Sequence, residues 1–122
     1  MISNYLDLTD KYNNSGAAGL VNIDMGSFNS TIVHIINNST TISFKASNDG
    51  GAIEPASQGN SIQAINFVAV EGTNLSTLAT ATSIAATPAP GTIWRFDVVG
   101  KYLQLSGGGT VSKLLIQQNK IQ

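Results

Sequence analysis

Apolar and polar residues alternate with a period of two in segment after segment of this 122-residue chain. Successive side chains of a strand point to opposite faces, so this period predicts half-buried β-strands. The clearest case is residues 92–106, TIWRFDVVGKYLQLS. Trp94, Phe96 and Val98 share one face, and Arg95 and Asp97 fall on the other. After Gly100, Tyr102 alternates with Leu103 and Leu105, so the stretch predicts a hairpin of two strands. Trp94 is the only tryptophan. Burying it contributes roughly 2–3 kcal/mol, which makes it the expected centre of the core.

The flanking segments follow the same grammar. Residues 19–25 alternate Val21, Ile23 and Met25 with Asn22 and Asp24. Residues 31–37 are nearly all apolar apart from His34 and rich in β-branched side chains, which predicts a strand. Residues 40–46 place Ile42, Phe44 and Ala46 on one side, and these two strands are expected to form a second hairpin. Residues 47–51, SNDGG, are turn chemistry, and 52–61 predict a polar surface loop. A strand resumes over 62–70 with ambiguous phase. Leu75 and Leu78 have the spacing of one helical turn, whereas 80–86 alternate like a strand. Pro88 and Pro90 then break the pattern, since neither donates to a ladder. After Gly107-Gly108-Gly109, residues 111–117 predict the last strand and 119–122 a polar tail.

Residues 1–18 carry apolar positions without a clean period and are expected to form an N-terminal arm. Such an arm docks on the domain, adds to a sheet edge, reaches a neighbouring subunit, or frays. Residues 19–122 then make a single domain. Many short strands between turn signals predict an all-β fold, an antiparallel β-sandwich of jelly-roll or Ig-like type with about eight strands. Its expected core is Trp94, Phe96, Val98, Leu103, Leu105, Phe44 and Ile42.

Composition changes this picture mainly through charge. Only 11% of residues are Asp, Glu, Lys or Arg and the net charge is −1, against about 25% charged residues in typical domains. A weakly charged surface repels neighbours little and suits packing against copies of the same chain. Six scattered basic residues give no electrostatic footprint for nucleic acid. No apolar run approaches the roughly 18 residues that span a membrane, and the start, MISNYLDLTD, does not read as a signal peptide. The chain has no cysteine, which excludes disulfides, thiolate metal sites and thiol nucleophiles.

Candidate chemistry is sparse. His34 is the one histidine; without a nucleophile motif beside it, it reads as a strand residue. Arg95 and Asp97 are an interface or sugar-binding pair, or an exposed ion pair worth at most about 1 kcal/mol. Asp49 and Glu54 flank a glycine-rich loop but lack calcium-loop spacing. The glycine runs lack phosphate-loop spacing and the accompanying lysine. Trp94 and Tyr102, if exposed, would make a carbohydrate-stacking platform; the alternation around Trp94 favours the core. The expectation is a protein that is not an enzyme, with no catalytic residues, cofactor or metal.

Two segments together resemble a known group. FKASNDGG at residues 44–51 and GTIWRFDVVGKYLQL at 91–105, followed by GGGTVSKLLI, are similar in order to small β-sandwich virion proteins of tailed bacteriophages. In that pattern a strand ends in an F-x-x-S-x-D-G turn, carried here by Phe44, Ser47, Asp49 and Gly50. A G-x-[WY]-x-[FI]-D-V-x-G strand follows, carried by Gly91, Trp94, Phe96, Asp97, Val98 and Gly100. The chain departs from it at Ala52 and Ile53, where such domains place an aromatic. The resemblance implies a structural protein of a tailed-phage virion, in the first place a capsid decoration or cement protein, located in a virion assembled in the host cytoplasm. The alternative is a carbohydrate- or receptor-binding module of a fibre or tail. The implied partners are the major capsid protein or other virion proteins and copies of the chain itself, with a trimer the first expectation. The candidate interface comprises Asn48, Asp49, Glu54, Arg95 and Asp97, with Tyr5, Leu6 and Leu8 from the arm.

Overall fold

A computed structural model describes residues 2–14, 19–26, 28–48, 66–97 and 101–120. These residues form eleven strands and one short helix: β1 (Ile2–Asp7), α1 (Thr9–Asn13), β2 (Leu20–Asp24), β3 (Ser30–Ile36), β4 (Ile42–Ser47), β5 (Val68–Ala69), β6 (Gly72–Asn74), β7 (Thr80–Ala81), β8 (Ser83–Ile84), β9 (Thr92–Asp97), β10 (Tyr102–Ser106) and β11 (Lys113–Lys120). They make two antiparallel sheets packed face to face, an all-β sandwich. The six-stranded sheet has the order β1-β11-β3-β9-β6-β7. The five-stranded sheet runs β2-β10-β4, with the short β5 and β8 both paired to β4.

The alternation read from the sequence is what faces the two sheets toward each other. Val33 and Ile35 of β3, Trp94 and Phe96 of β9, and Leu114 and Ile116 of β11 point inward from one sheet. Val21, Ile23, Phe44, Leu103 and Leu105 meet them from the other. The Phe44 ring stands edge-on to Phe96 at 4.9 Å between centroids and tilted against Trp94 at 5.3 Å. Offset and edge contacts of this kind add about 0.5–1.5 kcal/mol beyond area burial. The Trp94 indole N–H is satisfied within its own strand by Thr92 Oγ1 at 2.8 Å. Gly72 of β6 crosses directly over Phe96, where a Cβ would lie 2.6 Å from the ring.

Both expected hairpins are corrected. β3 and β4 lie in different sheets, and so do β9 and β10. Each successive pair therefore faces across the core instead of sharing a ladder. The β3–β4 connection makes this crossing with Asn38, which is buried. Its side-chain amide donates to Thr40 O and Ala85 O and its oxygen accepts from Thr87 N, so three backbone groups at the corner are satisfied without a two-residue turn. Gly91 enters β9 at φ +82° against the Ile35 carbonyl, where a side chain has no room.

The expected arm adds to a sheet edge. β1 pairs with β11 from Ile2↔Lys120 to Asp7↔Leu115. The chain then turns into α1; Leu8, at its N-cap, and Tyr12 within it, four residues apart, are both buried in the sandwich core. Residues of this segment also finish the ladder of β11. Leu8 N–H donates to Leu114 O at 2.9 Å, and Thr9 Oγ1 accepts from Leu114 N at 2.9 Å. The Asn13 amide donates to Val111 O and accepts from Val111 N, imitating a strand neighbour. At the other terminus β11 continues through Asn119 and Lys120, where a polar tail was expected. Leu75 and Leu78 belong to the turn of the β6–β7 hairpin, with Leu78 at φ +61°, and not to a helix. The expected loop over 52–61 lies outside the described residues.

Candidate functional site

The register of the six-stranded sheet decides which side chains share its outer face. Tyr5, Gln117, Ile32 and Arg95 stand in one row across four strands. Asp7, Leu115, His34 and Ile93 form the row on one side of it, and Ser3, Asn119, Ser30 and Asp97 the row on the other. Side chains on one face of adjacent antiparallel strands are close enough to act together. Between the first two rows lies a groove of about 220 Å³ lined by Tyr5, Ile32, His34, Ile93 and Leu115. Tyr5 is 71% exposed and Ile93 36%.

The charges at this face are paired within the chain. Arg95 Nε lies 3.5 Å from Asp97 Oδ1, with the Arg95 side chain 41% and the Asp97 side chain 72% exposed, so solvent screening limits the pair to at most about 1 kcal/mol. Lys113 Nζ lies 3.9 Å from Asp7 Oδ2. Asp7 Oδ1 accepts from both Thr9 N and Thr9 Oγ1, and these hydrogen bonds, helped by Lys113, hold its carboxyl below the usual aspartate range. The face is thus apolar at Leu115, Ile32 and Ile93 across β11, β3 and β9, with Tyr5 at its β1 edge and paired charges around it. His34 Nε2 lies 3.0 Å from the Pro90 carbonyl, so a backbone group holds the ring where a catalytic histidine would need a carboxylate. Among the described residues no group of three or more His, Cys, Asp or Glu side chains is placed to hold a metal ion. No helix among them is long and apolar enough to cross a membrane.

Of the expected core, Trp94, Phe96, Leu103, Leu105, Phe44 and Ile42 are buried together; Val98 lies outside the described residues. Trp94 and Tyr102 are 5% and 7% exposed, which removes the stacking platform considered for them. Of the expected interface, Tyr5, Arg95 and Asp97 meet on the outer face described above. Leu6 is partly buried against the core. Leu8 is corrected: at 3% exposure it belongs to the subunit's own core, because the chain bends into α1 immediately after β1. Asn48 sits apart, its side-chain oxygen accepting from Lys101 N at 2.8 Å as a turn contact. Asp49 and Glu54 lie outside the described residues. Sequence reasoning missed Ile32, Ile93 and Leu115. Their signal was apolar residues in the outward phase of strands whose inward phase was already apolar.

No family model matches the chain, and none of the curated proteins matches it. Among solved structures, it is similar to the crystal structure of SPBc2 prophage-derived protein YomS, with a TM-score of 0.60 and 18% sequence identity. The similarity covers 97% of this chain and 93% of that one, so the likeness extends over the whole sandwich.

Proposed function

We propose that this chain is a non-enzymatic structural protein of a tailed-phage virion that makes its contacts through the outer face of the six-stranded sheet. The observation that carries the reading is that face itself. It sets exposed Tyr5 and Ile93 beside Ile32 and Leu115 and keeps its charges paired within the chain. An apolar patch with an exposed aromatic at its edge and paired charges around it is the anatomy of a protein contact, not of a site for a charged ligand. The whole-length likeness to a prophage-derived protein supports the phage setting, and the sequence resemblance to virion sandwiches supports the finer role of capsid decoration. In this role the chain contacts the major capsid protein and copies of itself. The burial of Trp94 and Tyr102 counts against the sugar-binding alternative.

The test is co-sedimentation of the purified chain with purified capsids and, separately, with purified tails. Saturable binding to capsids that Ile93→Lys abolishes supports the decoration role. Binding to tails alone moves the protein to another part of the particle. Binding to neither refutes the virion reading.

A further inference from the structure

The sheets have unequal edges. β7 and β5 are two residues long, too short to template another strand. β2 is flanked by α1 and has Val21, Asn22 and Ile23 all buried. β1 differs from all three: six residues, ISNYLD, with no proline and no lysine, paired among the described residues to β11 alone. Protein edges are ordinarily blunted by such residues, by short length or by a cover.

The hydrogen-bonding phase of this edge is fixed. Leu8 N–H donates to Leu114 O, and the register places Asp7 opposite Leu115. Antiparallel strands alternate between pairs that exchange hydrogen bonds and pairs that do not, so the even-numbered residues of β1 bond to β11. The main-chain groups of Ser3, Tyr5 and Asp7 therefore point to the open edge. β1 also projects beyond the core: Ile2 lies on the core side of the sheet, yet it is 47% exposed.

We propose that a second copy of this chain pairs with the first through β1, antiparallel about a two-fold axis at Tyr5, joining the two six-stranded sheets into one. The inference rests on the part of the functional reading in which the chain contacts copies of itself, and on no other partner. The strand's own sequence selects this register. Centred on Tyr5, it sets Tyr5 opposite the second copy's Tyr5, and Ser3 opposite the second copy's Asp7, so a hydroxyl faces each carboxylate. A register centred on Asp7 places like charges directly opposite, which is destabilising. On the core side, Asn4 comes opposite the second copy's Leu6, and the exposed Ile2 comes over the point where the second copy's β1 turns into α1. On the outer face, the row Tyr5–Gln117–Ile32 becomes continuous with its mate. Such an isologous contact closes at two copies and is not consumed in a fibre.

The natural chain has no cysteine, so engineered thiols report the register directly. Residues opposite each other in a hydrogen-bonded pair have Cα atoms about 5.5 Å apart, within disulfide reach. Tyr5→Cys is expected to form a covalent dimer under oxidised glutathione. Ser3→Cys alone is not, whereas Ser3→Cys mixed with Asp7→Cys is. Light scattering on the unmodified chain should give twice the 12.7 kDa chain mass. Tyr5→Pro should return it to one, with its circular dichroism spectrum retained, because the Tyr5 N–H faces away from β11. A monomer at the highest soluble concentration, or a dimer that survives Tyr5→Pro, overturns the proposal. So does cross-linking of Thr80→Cys, on the far edge, as efficient as that of Tyr5→Cys. Loss of the dimer in Ile93→Lys but not in Tyr5→Pro means that copies meet face to face and also overturns it. Capsid binding is read separately, so a failed dimer leaves the virion reading to its own test.

Discussion

The two outer faces of this sandwich invert the usual rule in opposite ways. The outer face of the six-stranded sheet is partly apolar and exposed, with Tyr5, Ile32, Ile93 and Leu115 around a groove. The outer face of the five-stranded sheet is polar, carrying Asn22, Gln104, Lys45 and Ser43 in register, yet Asn22, Ser47 and Tyr102 on it are buried. Gln104 donates to Asn22 Oδ1 at 3.1 Å, and the Lys101 ammonium lies 5.3 Å from the Tyr102 ring centre. The polar face is therefore occupied in stabilising the chain, whereas the apolar face is available for another molecule. Buried polar groups are retained where their hydrogen bonds are made; exposed apolar groups need a different reason, and contact with a partner supplies one.

The harshest way to break this contrast is to delete residues 1–18, which removes one edge of the apolar face. The expected outcome is an unfolded chain, not a smaller folded one. The deletion takes Leu8 and Tyr12 from the core and leaves the main chain at Val111 and Leu114 without its partners. Losing two large core side chains costs more than about 5 kcal/mol, comparable with the whole stability of many domains. Absence of a cooperative thermal transition by circular dichroism checks it; a two-state melt near the parent temperature contradicts the reading of this segment as part of the sandwich.

The next pair sharpens what a buried polar group contributes. Asn22→Ala leaves Gln104 without its acceptor and should destabilise by about 1–3 kcal/mol in urea unfolding, with an unchanged m value. Tyr12→Phe should act in the opposite direction. The Tyr12 hydroxyl is buried with no hydrogen-bond partner among the described residues, so removing it should stabilise by about 1–3 kcal/mol at neutral pH. Burial also pushes the Tyr12 phenol up to about 12 from 10.0. The folded state then holds this proton more tightly than the unfolded state. Its contribution is complete below pH 10 and falls as pH rises from 10 toward 12, by about 2–3 kcal/mol in all. Tyr12→Phe should flatten that alkaline decline; an unaltered decline assigns it to other groups.

The acid side is a smaller effect. Thr9 and Lys113 lower the Asp7 pKa, so this contribution is present above the unfolded value of 3.8 and is lost as pH falls through the folded value. The carboxylate is exposed, so the effect is modest and screened by salt. An Asp7→Asn variant should show a slightly weaker acid dependence below pH 4 and an unchanged one above it.

The inward phase of the fold was legible because it repeats: Phe44, Trp94, Phe96, Leu103 and Leu105 all sit at alternate positions and all reach the core. What the period does not carry is which strand lies beside which. β9 and β10 have matching patterns and a short connection, but a strand whose inward face is apolar fits equally well beside its neighbour or opposite it. Long-range pairs such as Val33↔Trp94 and Leu105↔Phe44 decide the matter. The helix escaped for a related reason. Leu8 and Tyr12 are a single helical repeat, too short to stand out beside the turn-forming residues that follow. The candidate face was half legible. Arg95 and Asp97 announced an outward phase, but Ile32, Ile93 and Leu115 read as surplus core until the register placed them in adjoining rows.

The mildest change tests the contrast most directly. Ile93→Ser truncates one exposed apolar side chain at the groove and touches no hydrogen-bonded group in the ladder. Surface substitutions of this kind shift stability by about 0.5 kcal/mol or less. An exposed residue at the centre of a contact, by comparison, commonly costs more than about 1 kcal/mol of binding when truncated, a fivefold or greater loss of affinity. Measured side by side, the unfolding midpoint should stay in place while capsid binding weakens. The matched change on the opposite face, Gln104→Ala, should lower the midpoint, because the hydrogen bond from Gln104 to the buried Asn22 is lost, and leave binding intact. If Ile93→Ser destabilises the chain as much as Gln104→Ala and leaves binding untouched, the apolar face is structural and the contrast between the two faces fails.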